Sequence, residues 1–189
     1  PRSAFPTAKR SQKLAGGQAQ RRPPGHRNEP PVRVPDREAV IARARAAGVE
    51  RIITIGIGLK ESRRALEIAR AHSFIHAAIG IHPHNASGLD LAALDFLEKH
   101  ARDTRVVALG EMGLDFYRNR SPRDDQVRAF RAQLDLAESL KLPVVIHDRD
   151  AHAETLQILR EDKPACGGVL HCFSGDADMA RDCIDLGFL

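Results

Sequence analysis

Leu142-Pro143-Val144-Val145-Ile146-His147-Asp148-Arg149 is the stretch that decides the fold. Its apolar residues run on without alternating with polar ones, the pattern of a strand in a parallel sheet covered by helices. Residues able to bind ligands appear only where the run ends. The same arrangement recurs on both sides. Upstream, Val106-Val107-Ala108-Leu109-Gly110 leads into Glu111-Met112-Gly113-Leu114-Asp115, and the run from Phe74 through Ile79-Gly80-Ile81 leads into His82-Pro83-His84. Downstream, Gly168-Val169-Leu170 leads into His171-Cys172-Phe173-Ser174-Gly175.

Between these runs lie helical patterns with their own start and stop signals. Asp36 is placed to cap a helix through Ala46 that Gly48 ends, ahead of a strand over Arg51–Gly58. Helices are expected over about 61–72 and, with Leu91, Leu94 and Leu97 in phase, over about 90–101. Ser121-Pro122 offers a capping hydroxyl before a proline at the first helical position, and Val127, Phe130, Leu134, Ala137 and Leu140 then mark one face. Asp150 is placed to cap a helix to about Arg160, and a last helix is expected over about 177–186, before a sixth strand opening at Gly187. Strand onsets near 51, 74, 106, 144 and 168 leave room for one helix and two loops each, the crossover that parallel strands require.

Two α/β architectures use such a series. A doubly wound sheet gathers its site at a glycine-rich phosphate loop, and the sequence holds no GxGxxG, GKS or GKT. A (β/α)8 TIM-type barrel gathers its site from the C-terminal ends of successive strands, and four consecutive strands end here in His or carboxylate. The expectation is a barrel, and an incomplete one, because a full barrel needs about 250 residues and the chain has 189.

Composition fits one soluble domain with an aliphatic core, since 42% of residues are hydrophobic and only 4% aromatic. The basic balance belongs to the start of the chain: residues 1–37 hold nine Lys/Arg against two Asp/Glu, and residues 38–189 hold twenty against twenty-three. Residues 1–35 also hold seven of the eleven prolines, so they are expected to be a basic, Pro-rich disordered tail ahead of a domain over 36–189. No membrane span or secretory signal stands out, and Cys166, Cys172 and Cys183 show no pairing pattern. The expected location is cytoplasmic, with the thiols reduced.

Glu111, His147 and His171 form a plausible set of metal ligands, because a divalent ion takes lone pairs from neutral imidazole and carboxylate converging on one point. Mg²⁺, Mn²⁺ and Zn²⁺ all suit this set, as one ion or as two bridged by the carboxylate. Such a site lowers the pKa of bound water and offsets charge developing on a phosphoryl group. His82, and less strongly His84, are placed to contact substrate beside it, and Arg149 offers a guanidinium that matches phosphate bidentately. Asp115 and Tyr117 follow Glu111 closely, as groups that orient ligands or line the pocket, or as turn residues.

The four segments Ile79–His84, Leu109–Asp115, Val145–Arg149 and Leu170–Gly175, in this order, resemble the TatD family of metal-dependent deoxyribonucleases. The resemblance runs from about Asp36 to Leu189. It implies a metal-dependent hydrolase cleaving DNA phosphodiesters from a 3′ end, with Glu111, His147 and His171 as metal-binding catalytic residues; His82, Arg149 and Tyr117 are read from their own positions as the substrate-binding residues. Two other readings are a same-fold hydrolase of another ester, such as a D-aminoacyl-tRNA, and an inactive nucleic-acid-binding fragment. The family pattern also has a His-x-His pair on the first strand and a late Asp, and neither is present. With the start on Pro1 and the close on Gly187-Phe188-Leu189, this leads to the expectation of a truncated copy.

Overall fold

The structure, a computed structural model, describes residues 36–189; the tail expected over 1–35 lies outside the described residues. Residues 43–189 form one compact unit. In chain order the elements are α1 (Arg37–Ala46), β1 (Ile52–Ile55), α2 (Leu59–Ala71), β2 (Ile75–Ile79), a 3-10 turn (Pro83–Gly88), α3 (Leu91–Ala101) and β3 (Val106–Asp115). They continue with α4 (Arg123–Leu140), β4 (Val144–Arg149), α5 (His152–Asp162), β5 (Gly168–His171) and α6 (Ala177–Asp185). The five strands are all parallel and lie in the order β1-β2-β3-β4-β5. Phe188 bridges Gly168 in parallel, and the Leu189 N–H donates to the Gly168 carbonyl at 3.0 Å, so the sixth strand opens where the sequence places it. No helix among the described residues is long and apolar enough to cross a membrane.

The sheet curls into part of a barrel, and one bond measures how sharply. In a flat sheet β1 and β3 would lie two spacings apart, about 9 to 10 Å. Here the Glu111 N–H of β3 donates to the carbonyl of Gly56, just past β1, at 3.2 Å. At this C-terminal edge, alternate strands meet over the end of β2.

Several local expectations need correction. The strand expected to stop at Gly110 continues to Asp115, and a bulge absorbs the change. Gly110 pairs with Val145 and Met112 with Ile146, so Glu111 is the extra residue without a partner in the ladder. A bulge re-aims a side chain and bends its strand. Gly113, opposite His147 in β4, has φ +131 and an approach so close that a Cβ would sit 2.1 Å from the His147 carbonyl oxygen. The expected strand over 51–58 is confined to Ile52–Ile55.

Helix α4 buries Gln126, Ala129, Phe130, Gln133, Leu134 and Ala137, while Val127 and Leu140 are only partly covered. Phe130 and Leu134, fully buried, each contribute about 1.5–3 kcal/mol of apolar burial. The two glutamines have other work. Gln133 accepts from the Ile81 N–H at 2.8 Å and donates to the Ile81 carbonyl at 3.1 Å. Gln126 does the same for Asp115, at 2.8 and 3.3 Å. Each side-chain amide thus stands in for a neighbouring strand beyond the end of the β2–β3 ladder, which stops at Ile79 and Leu109.

Two capping assignments also fail. The Ser121 hydroxyl donates to the His84 carbonyl at 3.1 Å and accepts from the Ser87 N–H at 3.3 Å, satisfying the 3-10 turn instead of α4. Asp150 takes a positive φ of 53 and leaves the N-cap position of α5 to Ala151. Asp36, Asp90 and Asp176 do accept from the backbone at the starts of α1, α3 and α6. Asp90→Ala removes the 2.8 Å bond from the Ala93 N–H and is expected to cost about 1 kcal/mol, read as a shifted midpoint in urea denaturation.

Candidate metal centre

The ends of β2, β3, β4 and β5 bring five groups to the same edge of the sheet. Glu111 comes from the bulge in β3, His147 from β4 and His171 from the last position of β5, while His82 and His84 flank Pro83 after β2. The Glu111 Oε1 lies 3.0 Å from His147 Nδ1, 3.6 Å from His171 Nδ1 and 3.9 Å from His82 Nε2. Ligand atoms of His82, Glu111 and His147 all lie within 4.8 Å of one another. The His171 side chain is the most open of the four, 47% exposed, so the site is walled by Glu111 and His82 and open toward β5.

Beneath these groups lies Asp115, whose side chain is 1% exposed. Its Oδ2 is 2.7 Å from His84 Nε2 and 3.2 Å from His147 Nε2, and its Oδ1 accepts from the Arg118 N–H at 2.7 Å. Asp115 thus closes the turn at Arg118 and also contacts the His147 ring. His147 is therefore held at both ring nitrogens, by Asp115 and by Glu111. A neutral imidazole that gives its Nε2 proton to Asp115 turns a lone pair on Nδ1 toward the Glu111 carboxylate. Two lone pairs 3.0 Å apart require a positive charge between them. Donor set and spacing fit a divalent cation, and a proton fills the same need.

The titration shifts follow from this crowding. Burial works against charge on His147, but its hydrogen bonds and proximity to Glu111 and Asp115 prevail and raise its pKa. Burial likewise opposes the Glu111 and Asp115 carboxylates, yet the hydrogen bond from His147 to Glu111, and those from the Arg118 N–H and His84 to Asp115, hold both below the usual range. His82 is pushed down to about 4, first by burial and then by the adjacent His147. It is a neutral ring. Its Nδ1 accepts from the His84 N–H at 3.1 Å, so the proton sits on Nε2, the nitrogen facing Glu111. His82 thus enters the site as a donor, although its position alone would qualify it as a ligand.

Arg149 and Tyr117 stand together at the rim. Asp115 pairs with Arg149 across β3 and β4, which sets the next residues of β3 beside Arg149. The Arg149 guanidinium lies 4.2 Å from the centroid of the Tyr117 ring. An acidic neighbour, Asp148 or Asp150, would have been the ordinary partner for this arginine. Asp148 points the other way along β4 and bonds His152 Nδ1 at 2.8 Å. The contribution of Gln126 was not visible in the sequence, where a glutamine on a helix carries no distinguishing signal, and His84, placed toward substrate by the sequence, instead reaches Asp115.

Comparison with known proteins points to one family. The family model described as TatD related DNase matches residues 26–189. The chain is 42% identical over 154 residues to YabD of Bacillus subtilis, an uncharacterized metal-dependent hydrolase, covering 81% of this chain and 60% of that protein. It is 44% identical over 155 residues to the 3′-5′ ssDNA/RNA exonuclease TatD of Klebsiella pneumoniae, covering 80% and 58%. Among solved structures, the TatD homologue YJJV of Escherichia coli K12 aligns with a TM-score of 0.75 at 32% identity, covering 80% of this chain and 59% of that one. A TatD family hydrolase from Entamoeba histolytica aligns at 0.72 and 28%, covering 80% and 54%. The chain thus spans less than two thirds of the length of these relatives. With the family model matched over all described residues and the fold shared with two solved members, the chain belongs to the TatD-related DNase family.

Proposed function

We propose that this chain carries part of the active site of a metal-dependent phosphodiesterase acting on DNA from a 3′ end. One observation carries the reading: the Nδ1 atoms of His147 and His171 converge on the same Glu111 oxygen, at 3.0 and 3.6 Å. Glu111, His147 and His171 would hold a divalent ion such as Mg²⁺, Mn²⁺ or Zn²⁺. When bound, the ion supplies an acidified water and a positive charge for the phosphoryl oxygens. The family model and the named activity of the Klebsiella relative support this chemistry.

The side chains divide the remaining work. Asp115 holds the Nε2 proton of His147 and so fixes the ring with Nδ1 toward Glu111, the carboxylate–histidine arrangement of metal sites. His82 offers its Nε2–H to a non-bridging phosphate oxygen. Being neutral, it donates without competing for the cation. Arg149, exposed two residues after His147 on the same side of β4, receives the next phosphate. Tyr117 lies against it.

The test is hydrolysis of a 3′-end-labelled single-stranded oligonucleotide by the purified chain with Mn²⁺, Mg²⁺ or EDTA. Shortened product with metal, none with EDTA, and recovery on restoring metal are expected. Equal hydrolysis in EDTA would overturn the reading.

A further inference from the structure

We infer that Tyr117 and Arg149 form a stacking platform for one unpaired nucleobase, making this rim the element that selects single-stranded nucleic acid. The inference rests on the phosphodiesterase reading and adds to it the group that holds the base. Tyr117 is 60% exposed, although burying an aromatic ring is favourable, and it sits in a loop, not a core. Its ring is nevertheless held in place. The Arg149 guanidinium lies 4.2 Å from the ring centroid and the Arg118 guanidinium 6.0 Å. Such contacts orient an exposed ring at little entropic cost, because tyrosine has only two side-chain torsions to fix.

The surroundings state what the platform would accept. The segment from Phe116 to the first residue of α4 carries Arg118, Arg120 and Arg123, with Arg123 lying 4.1 Å from the Phe116 centroid. Asp124 and Asp125 follow, but Asp125 is bound to Ser87 and Arg128. An exposed ring set among guanidinium groups suits a ligand that is flat in one part and anionic in the next. That is a nucleotide, and an apolar protein partner would gain little from the arginines. Bases inside a duplex are already stacked on each other, so only a base out of the helix reaches Tyr117. The distance fits as well. Arg149 follows His147 by two residues of extended strand, about 7 Å, so a base on Tyr117 belongs to a nucleotide adjoining the phosphate at Glu111.

The sequence provides the probe, for Tyr117 is the one tyrosine of the chain and there is no tryptophan. Tyrosine emission therefore reports this ring alone. Titration of the full chain in EDTA with a thymidine pentanucleotide is expected to quench that emission by more than half. A pentanucleotide of abasic residues, of equal charge, is expected to leave it unchanged. Anisotropy of the labelled thymidine oligomer should show about tenfold weaker binding for Tyr117→Ala and binding within about twofold of the parent for Tyr117→Phe. Tight binding without quenching, with Tyr117→Ala binding as the parent does, would refute the platform and leave the phosphodiesterase reading standing. A chain that neither binds the oligomer nor hydrolyses it with Mn²⁺ would overturn both.

Discussion

Glu111→Gln is expected to reduce metal-dependent hydrolysis at least about a thousandfold, a barrier increase of about 4 kcal/mol, while leaving the circular dichroism spectrum unchanged. Glutamine has nearly the same shape and can still face His147, so the bulge that presents residue 111 should persist. It loses the charge. The oxygen approached by His147 at 3.0 Å and by His171 at 3.6 Å becomes a neutral amide or is turned away. Metal affinity, read by calorimetry on the same sample, should fall in parallel. Full activity in this variant would remove Glu111 from the centre of the site and with it the proposed ligand set.

The second large effect is expected from a residue that touches no substrate. Gln126→Leu keeps the volume of a buried side chain but removes every polar contact it makes. The Asp115 N–H and the Ser121 carbonyl, each bonded at 2.8 Å, would be left without these partners, while the Asp115 carbonyl keeps the Asn119 N–H at 3.2 Å. Unpaired buried backbone groups cost about 1–3 kcal/mol each, so a loss of about 2–4 kcal/mol is expected after partial relaxation, measured by urea denaturation. The same change loosens the end of β3 that holds Asp115, and through it His147. Hydrolysis should therefore fall at temperatures where the variant is still folded. A variant as stable as the parent would show that water takes over these bonds.

The fold was largely legible because parallel strands under helices write themselves as uninterrupted apolar runs. Val144–Ile146 and Val106–Leu109 could be read this way, and the polar residues closing each run pointed to one edge of the sheet. That logic picks out Glu111, His147, His171 and His82 as candidates, and the structure sets the three rings within 3.9 Å of the Glu111 carboxylate. What escaped was whatever depends on register. Glu111 sits in a bulge, and the sequence around Gly110 and Gly113 reads equally well as a loop, so β3 was cut short by five residues. Gln126 and Gln133 break the apolar stripe of α4, and a polar residue on a helix normally marks the solvent side. Ser121 precedes a proline as a capping residue does, but the backbone groups of a turn distant in sequence compete for its hydroxyl. The nitrogen of His82 that carries the proton is set by a backbone bond that only coordinates reveal.

The bond from Glu111 to Gly56 gives the curvature of the sheet a role beyond shape. The carboxylate at the centre of the candidate site is tied by its own backbone to a segment fifty-five residues earlier, one that contributes no side chain to the site. Alterations along β1 that flatten the sheet would pull on Glu111 like a tether and displace its oxygens from His147 and His171 without altering any of the three. Random mutagenesis for loss of function should therefore yield a second class of lesions, clustered around Gly56, that leave every chemical group intact and spoil only their aim.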